Sequence, residues 1–284
     1  MRVAIVGLGL IGGSVGLALK KSNWRNAEVI GYARRPEVGS AALSLGAIDK
    51  AASSLKQAVE SAELVVVATP VLTIKDIFKE ISPYLLSQST VTDVASTKVQ
   101  VMSWAEELLP AHVSFIGGHP MAGREISGIT AAQPDLFRNC VYCLIPGSHA
   151  KPKAVQCLED MVQSLSARSI TIDAEAHDNM VAGISHLPLL LSAALVLATC
   201  QNPAWPTMSQ LASSGYRDLT RLASGNPEVS AHICLTNQKP IISWIDNFIE
   251  ELQKIRSLLS TDSSEIERYL AAAQKARQKW LEKR

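Results

Sequence analysis

The sequence of 284 residues is short of the features that mark polymer-binding, secreted or membrane proteins. Its formal net charge is only +1, so the basic excess that a phosphate backbone demands is missing and nucleic acid is not expected as a partner. Charged residues make up 19% against 47% hydrophobic ones, a balance that excludes wholesale disorder and can supply a sizeable core. The five cysteines (Cys140, Cys143, Cys157, Cys200 and Cys234) are an odd number without a regular framework. That excludes a disulfide scaffold and fits reduced thiols in the cytoplasm, or in an organelle stroma if a transit peptide has been removed. Cys140 and Cys143 form a C-x-x-C inside an apolar run, with no second Cys or His pair at zinc-finger spacing. The run reads as a strand carrying two incidental thiols, and no metal site is expected. No signal peptide is expected either, because Met1-Arg2 leads straight into a strand pattern.

One long apolar run is present, residues 184–200 (ISHLPLLLSAALVLATC). It is only marginally long enough to span a bilayer and carries His186 and Pro188 near its start, so it reads as a helix buried in a protein core, not a membrane span. Lys275, Arg277, Lys279, Lys283 and Arg284 are interleaved with apolar residues at helical spacing and read as a solvated helix face. Neither an internal repeat nor a low-complexity linker is found.

The first half alternates strand and helix patterns, the signature of a parallel sheet covered by helices. Strands are expected at residues 3–6, 28–32, 64–68, 90–94, 113–116, 141–145 and 169–172, with helices at 11–20, 40–46 and 151–165. Beyond Asp173 only helical patterns remain, at 182–199, 208–223, 227–259 and 264–280. The expected architecture is α/β: an N-terminal Rossmann domain with a doubly wound parallel sheet over residues 1–173, then an all-helical dimerisation domain over residues 174–284. The helical half is strongly apolar yet has no sheet of its own to cover, so a homodimer formed through it is expected.

Gly7-Leu-Gly9-Leu10-Ile11-Gly12 is a G-x-G-x-x-G that follows a strand and opens a helix. Gly7 permits the tight turn, Gly9 lets backbone approach a pyrophosphate, and Gly12 lets helix and strand pack closely. The phosphates then meet free amides at the positive end of the helix dipole, around Leu10 and Ile11. An NAD-binding unit usually carries an acid at the end of its second strand to hold the ribose hydroxyls. Here Ala33 occupies that place and Arg34 and Arg35 follow. With no carboxylate to repel a 2′-phosphate, and guanidinium forks to bind one, the expected cofactor is NADP in preference to NAD.

Polar residues also gather where later strands end, at Thr69-Pro70, at residues 93–98 (DVASTK) and at residues 117–123 (GGHPMAG). Ligands of doubly wound sheets bind at such ends. His119, flanked by two glycines and a proline, is expected on a fixed, exposed loop beside the nicotinamide. Hydride removal from an alcohol carbon requires the hydroxyl proton to be taken as well, and a histidine near neutral pKa suits that task.

GLGLIGGS at 7–14, DVASTK at 93–98, GGHPMAG at 117–123 and ISHLP at 184–188 together resemble the prephenate/arogenate dehydrogenase family of tyrosine biosynthesis, in that family's order and over roughly residues 3–240. The resemblance implies a Rossmann domain followed by a helical dimerisation domain. It also implies oxidative decarboxylation of a cyclohexadiene bearing a C4 hydroxyl and, at C1, a carboxylate and a pyruvyl or alanyl arm. By the same resemblance His119 is the catalytic histidine that binds the C4 hydroxyl, and Ser96 hydrogen-bonds that hydroxyl and helps to position His119. His186 lines the substrate pocket from the helical domain. Arg221, in the segment 214–221 (SGYRDLTR), binds a substrate carboxylate, with Arg217 one turn earlier as the fallback. An ammonium on the substrate arm would call for an acid, for which Asp218 and Asp178 are candidates, and the resemblance tilts the expected substrate towards arogenate. The alternatives are another NADP reductase of Rossmann-plus-helical build (a β-hydroxyacid dehydrogenase or an imine reductase) or a non-catalytic NADP-sensing protein.

Overall fold

The computed structural model describes residues 1–260 and 263–282; Lys283 and Arg284 of the basic cluster lie outside the described residues. Eight strands form one sheet: β1 (Arg2–Val6), β2 (Glu28–Tyr32), β3 (Lys50–Ala51), β4 (Leu64–Val67), β5 (Thr90–Asp93), β6 (Ser114–Pro120), β7 (Val141–Pro146) and β8 (Arg168–Thr171). Their spatial order is β3-β2-β1-β4-β5-β6-β7-β8. Every neighbouring pair is parallel except β6 with β7. The chain runs outward from β1 to one edge and then returns to build β4 on β1's other side, so the order reverses between β1 and β4. Such a reversal opens a crevice at the strands' carboxyl ends.

Both faces of this sheet are covered, which is why its central strands read as unbroken apolar runs and not as alternating ones. The four residues of β4 are all fully buried. One face packs on α1 (Leu10–Lys21) and, with α2 (Pro36–Ser44) beside it, forms a core that includes Val15, Leu19 and Phe137. The other packs on α3 (Leu55–Val59), α4 (Ile74–Ile81) and α5 (Val99–Leu108), around Val65, Ile74, Phe78 and Phe115. These last three helices, and the two-residue β3, were not among the sequence expectations. Further along, α6 (Pro152–Ser164) returns to the first face through Leu158, Met161 and Val162.

Past β8 the chain is helical, as expected. The helices are α7 (Ala174–Val181), a π-helical turn at Ala182–His186, α8 (Leu187–Cys200), α9 (Trp205–Leu211), α10 (Ser214–Thr220), α11 (Pro227–Thr236), α12 (Gln238–Leu258) and α13 (Ser263–Leu281). Two compact units result, Met1–Gln238 and Lys239–Arg284. In the second, α12 and α13 are tied together where the Tyr269 hydroxyl donates to Glu251 Oε2 at 2.7 Å. Lys275, Arg277 and Lys279 are exposed on α13.

Two expectations need correction. The segment Ala174–Cys200 is long and apolar enough to cross a membrane, but α8 is not a core helix of this chain. Only Leu187 and Ser192 on it are buried, while Leu197 is 57% exposed and Ile184 just before it 72%. The helical region lacks a sheet against which to bury those side chains. His119, expected on an exposed loop, lies instead within β6 and is buried. Residues Gly117–Pro120 continue the strand because β7 pairs with them antiparallel, His119 opposite Cys143.

Candidate active site

The carboxyl ends of the parallel strands place the sequence-flagged residues along one edge of the sheet. After β1 comes the glycine turn. Gly7 has φ of +102°, and a Cβ there would stand 2.5 Å from the carbonyl oxygen of Ala68, so only glycine fits without strain. A Cβ on Gly12 would come within 2.0 Å of the Gly7 carbonyl oxygen, whereas one on Gly9 would meet nothing. The open space lies over Gly9, at the N-terminus of a twelve-residue helix that has no side-chain cap and no acid in its first turn. Its leading amides at Leu10 and Ile11 are thus available to an anion, as a dinucleotide pyrophosphate requires. After β4, Thr69 holds its Oγ1 buried with no hydrogen-bond partner among the described residues, beside Pro70 and across from Gly7, whose Cβ would meet Thr69 Cγ2 at 2.9 Å. A buried hydroxyl left unpaired at this edge suits a polar ligand in the crevice. The residues present therefore fit a nicotinamide dinucleotide.

At the end of β2, Ala33 is half-buried and both arginines are exposed. Arg35 stands 4.0 Å from Glu37, and Arg34 has no ion pair among the described residues.

The deepest polar structure sits beneath β5 and β6. Asp93, the last residue of β5, is fully buried, and so is Lys98. The Lys98 ammonium donates to Asp93 Oδ2 and, at 2.7 Å, to the carbonyl oxygen of Gly118. Asp93 also accepts from the backbone N–H of Ala95 at 2.8 Å and of Gly118 at 3.1 Å. This knot fixes the strand segment that carries His119. Ser96, half-buried, lies on the connection between the two partners.

His119 Nδ1 lies 2.9 Å from His177 Nε2, and the rings meet edge to face. His177 Nδ1 lies 2.8 Å from Asp178 Oδ1. Asp178 in turn accepts the backbone N–H groups of Lys98 at 2.7 Å and Val99 at 2.9 Å, so it caps α5 from a distance in sequence. Burial holds the His119 pKa well below the usual histidine value, and the closeness of His177, Lys98 and His186 pushes it in the same direction. His119 is therefore a neutral imidazole at physiological pH, able to accept a proton.

His186 closes the π-helical turn and is 1% exposed. Its Nδ1 meets Asn237 Nδ2 at 3.1 Å, while its Nε2 is buried without a partner among the described residues. Burial pushes its pKa down to about 4 against the pull of Asp178. A π turn re-aims side chains by one position relative to a regular helix, and such turns recur at functional sites.

Arg221 follows α10 and pairs with Glu125, whose segment comes after GGHPMAG. A substrate carboxylate reaching Arg221 would take the place of Glu125. Arg217 is 80% exposed and stands 4.0 Å from Asp218. Asp178, a candidate partner for an ammonium group, has both oxygens committed to Lys98, Val99 and His177. His177, Asn237 and Glu125 were not singled out from the sequence, and Lys98 was flagged only as the end of the polar segment 93–98. The adjacent His-Asp pair just before an uncharged apolar run was the visible signal for the first.

The family model described as "Prephenate dehydrogenase, nucleotide-binding domain" matches residues 15–171, and that described as "Prephenate dehydrogenase, dimerization domain" matches residues 173–274. A prephenate dehydrogenase of Bacillus subtilis is 37% identical over 265 residues, covering 93% of this chain and 71% of the relative. The crystal structure of Synechocystis arogenate dehydrogenase superposes with a TM-score of 0.84 at 32% identity, covering 99% of this chain and 100% of that one. Prephenate dehydrogenase from A. aeolicus, in complex with hydroxyphenyl propionate and NAD+, gives 0.91 at 28% identity, with 98% of each chain covered. With two family models laid end to end over the sheet and the helices, and relatives matching along nearly its whole length, this chain belongs to the prephenate/arogenate dehydrogenase family of oxidoreductases.

Proposed function

We propose that the protein catalyses NADP-dependent oxidative decarboxylation of arogenate or prephenate, with His119 as the proton acceptor. The observation that carries this reading is a buried imidazole, kept neutral by its surroundings, at the carboxyl edge of the sheet that also bears the glycine turn. When bound, the nicotinamide supplies the acceptor for the hydride from ring C4. His119 takes the proton of the C4 hydroxyl as that hydride leaves, so the C–O bond becomes a carbonyl. The C1 carboxylate then departs as carbon dioxide, and its bonding electrons complete the aromatic ring. The resulting phenolate oxygen recovers the proton from His119, which ends neutral. Aromatisation supplies the driving force, so the protein's task is to position the reactants and manage one proton.

Ser96 is assigned to the C4 hydroxyl alongside His119. The unpartnered Nε2 of His186 supports its assignment to the substrate pocket. Arg221 holds the carboxylate of the arm: a tight pair with the departing carboxylate would stabilise the ground state and oppose its loss. Ala33 with exposed Arg34 and Arg35 supports NADP over NAD. Homodimerisation through the helical half is supported by the matched dimerization model and by exposed Ile184, Leu197, Leu211 and Leu219. The five free thiols support a reducing compartment.

The experiment is a stoichiometry. Carbon dioxide and reduced nicotinamide should form one to one, with an aromatic product. Reduction of the nicotinamide without release of carbon dioxide would contradict the proposal.

A further inference from the structure

We propose that His177 and Asp178 are positioning residues that set the rings of His119 and His186 in opposite tautomers, His119 with a bare Nε2 and His186 with a protonated one. The proposal rests on the reading of His119 as proton acceptor and deepens it.

Backbone N–H groups only donate, so the Asp178 oxygens that meet Lys98 N and Val99 N are acceptors, and the side chain is held in one plane at the head of α5. His177 Nδ1, at 2.8 Å from Asp178 Oδ1, must then be the donor. With one proton, on Nδ1, His177 has its lone pair on Nε2. That lone pair faces His119 Nδ1 at 2.9 Å, so His119 Nδ1 donates. The remaining His119 nitrogen, Nε2, is therefore the bare one. This is the form that a proton acceptor needs.

The second histidine is set through the backbone of the same residue. Asn237 Nδ2 lies 2.7 Å from the carbonyl oxygen of Asp178, which can only accept, so the orientation of the Asn237 amide is fixed. The other hydrogen on Nδ2 points to His186 Nδ1 at 3.1 Å, which makes that nitrogen an acceptor. His186 must then carry its proton on Nε2, the buried atom with no partner among the described residues. One ring presents an acceptor and the other a donor, and Asp178 dictates both. Both histidines remain neutral because they are buried, so neither answer is blurred by protonation near pH 7. When the substrate proton arrives at His119 Nε2, the imidazolium keeps its Nδ1–H bond to His177, and His177 keeps its own to the Asp178 carboxylate. The new positive charge is thereby compensated across two hydrogen bonds without a second proton moving.

The test combines ring-nitrogen NMR of the histidine-labelled full chain near pH 7 with three variants. In the wild type, His119 should show a protonated Nδ1 and an unprotonated Nε2, with His186 the reverse. Either histidine in the other tautomer overturns the proposal, whatever the variants do. In His177→Leu, His119 should populate both tautomers, and kcat should fall roughly 10²-fold, the scale of lost general-base assistance. Cofactor affinity should be unchanged, which also reports that the variant is folded. His177→Gln can accept from His119 with its oxygen and donate to Asp178 with its nitrogen, so it should recover most of that loss. A His177→Leu protein with wild-type kcat, or a His177→Gln protein no better than it, overturns the positioning role. His119→Asn separates the two readings: if it retained activity, the proton-acceptor assignment would fall while the tautomers stood.

Discussion

Lys98 and Asp93, five residues apart in sequence and both fully buried, form an ion pair whose lysine also donates to the carbonyl oxygen of Gly118, the residue before His119. The pair ties the end of β5 to the end of β6. Burial alone would depress the Lys98 pKa, and the charge of Asp93 opposes that shift. Removing one partner leaves the other charge buried and uncompensated, which typically costs about 3–5 kcal/mol. Asp93→Asn is expected to lose stability on that scale in urea unfolding. It should also lower kcat, because the strand bearing His119 is no longer pinned. A loss below about 1 kcal/mol would mean that the site is less dry than its burial indicates.

His119 must be neutral to accept a proton, and its pKa is held well below 6.5 by burial first and by the closeness of His177, Lys98 and His186 second. The active form persists as pH falls through 6.5 and is lost only when pH reaches the depressed value. The pH profile of kcat/KM should therefore be flat through neutrality, with its acid limb below the ordinary histidine range. An acid limb at or above 6.5 assignable to His119 would contradict the burial argument.

Arg221→Ala removes the group assigned to the carboxylate of the substrate arm. Hydrogen bonds to charged groups contribute about 1.5–3 kcal/mol, so KM for the substrate should rise roughly 10- to 100-fold with a much smaller change in kcat. Steady-state kinetics distinguishes the outcomes. Collapse of kcat at constant KM would reassign Arg221 to the chemical step.

The double variant Arg34→Ala/Arg35→Ala removes both guanidinium groups that follow Ala33. KM for NADP should rise by about tenfold or more, because forked, charge-assisted bonds to a 2′-phosphate are lost. KM for NAD should hardly change. Equal effects on the two cofactors would show that these arginines do not read the phosphate.

Much of the sheet was legible because it is local. Residues 64–67 and 141–145 are apolar runs of strand length, and each forms a strand within one residue of the expected ends. The glycine turn was equally readable, since Gly7 and Gly12 owe their places to a positive φ and a close approach that no other residue tolerates. The elements missed were those whose form depends on distant partners. Gly117–Pro120 looked like a loop by composition, yet continues β6 because β7 pairs with it. His177 lies 58 residues from His119, and Asp178 lies 80 from Lys98. No spacing rule joins such positions, although together they hold the centre of the site.

The most direct test is an initial-rate assay of the purified protein in the four combinations of prephenate or arogenate with NADP or NAD, followed at the absorbance of the reduced nicotinamide. Turnover with at least one of the two substrates, faster with NADP than with NAD, is the predicted result. No turnover in any combination would contradict the assignment of His119 as the proton acceptor of an oxidative decarboxylase.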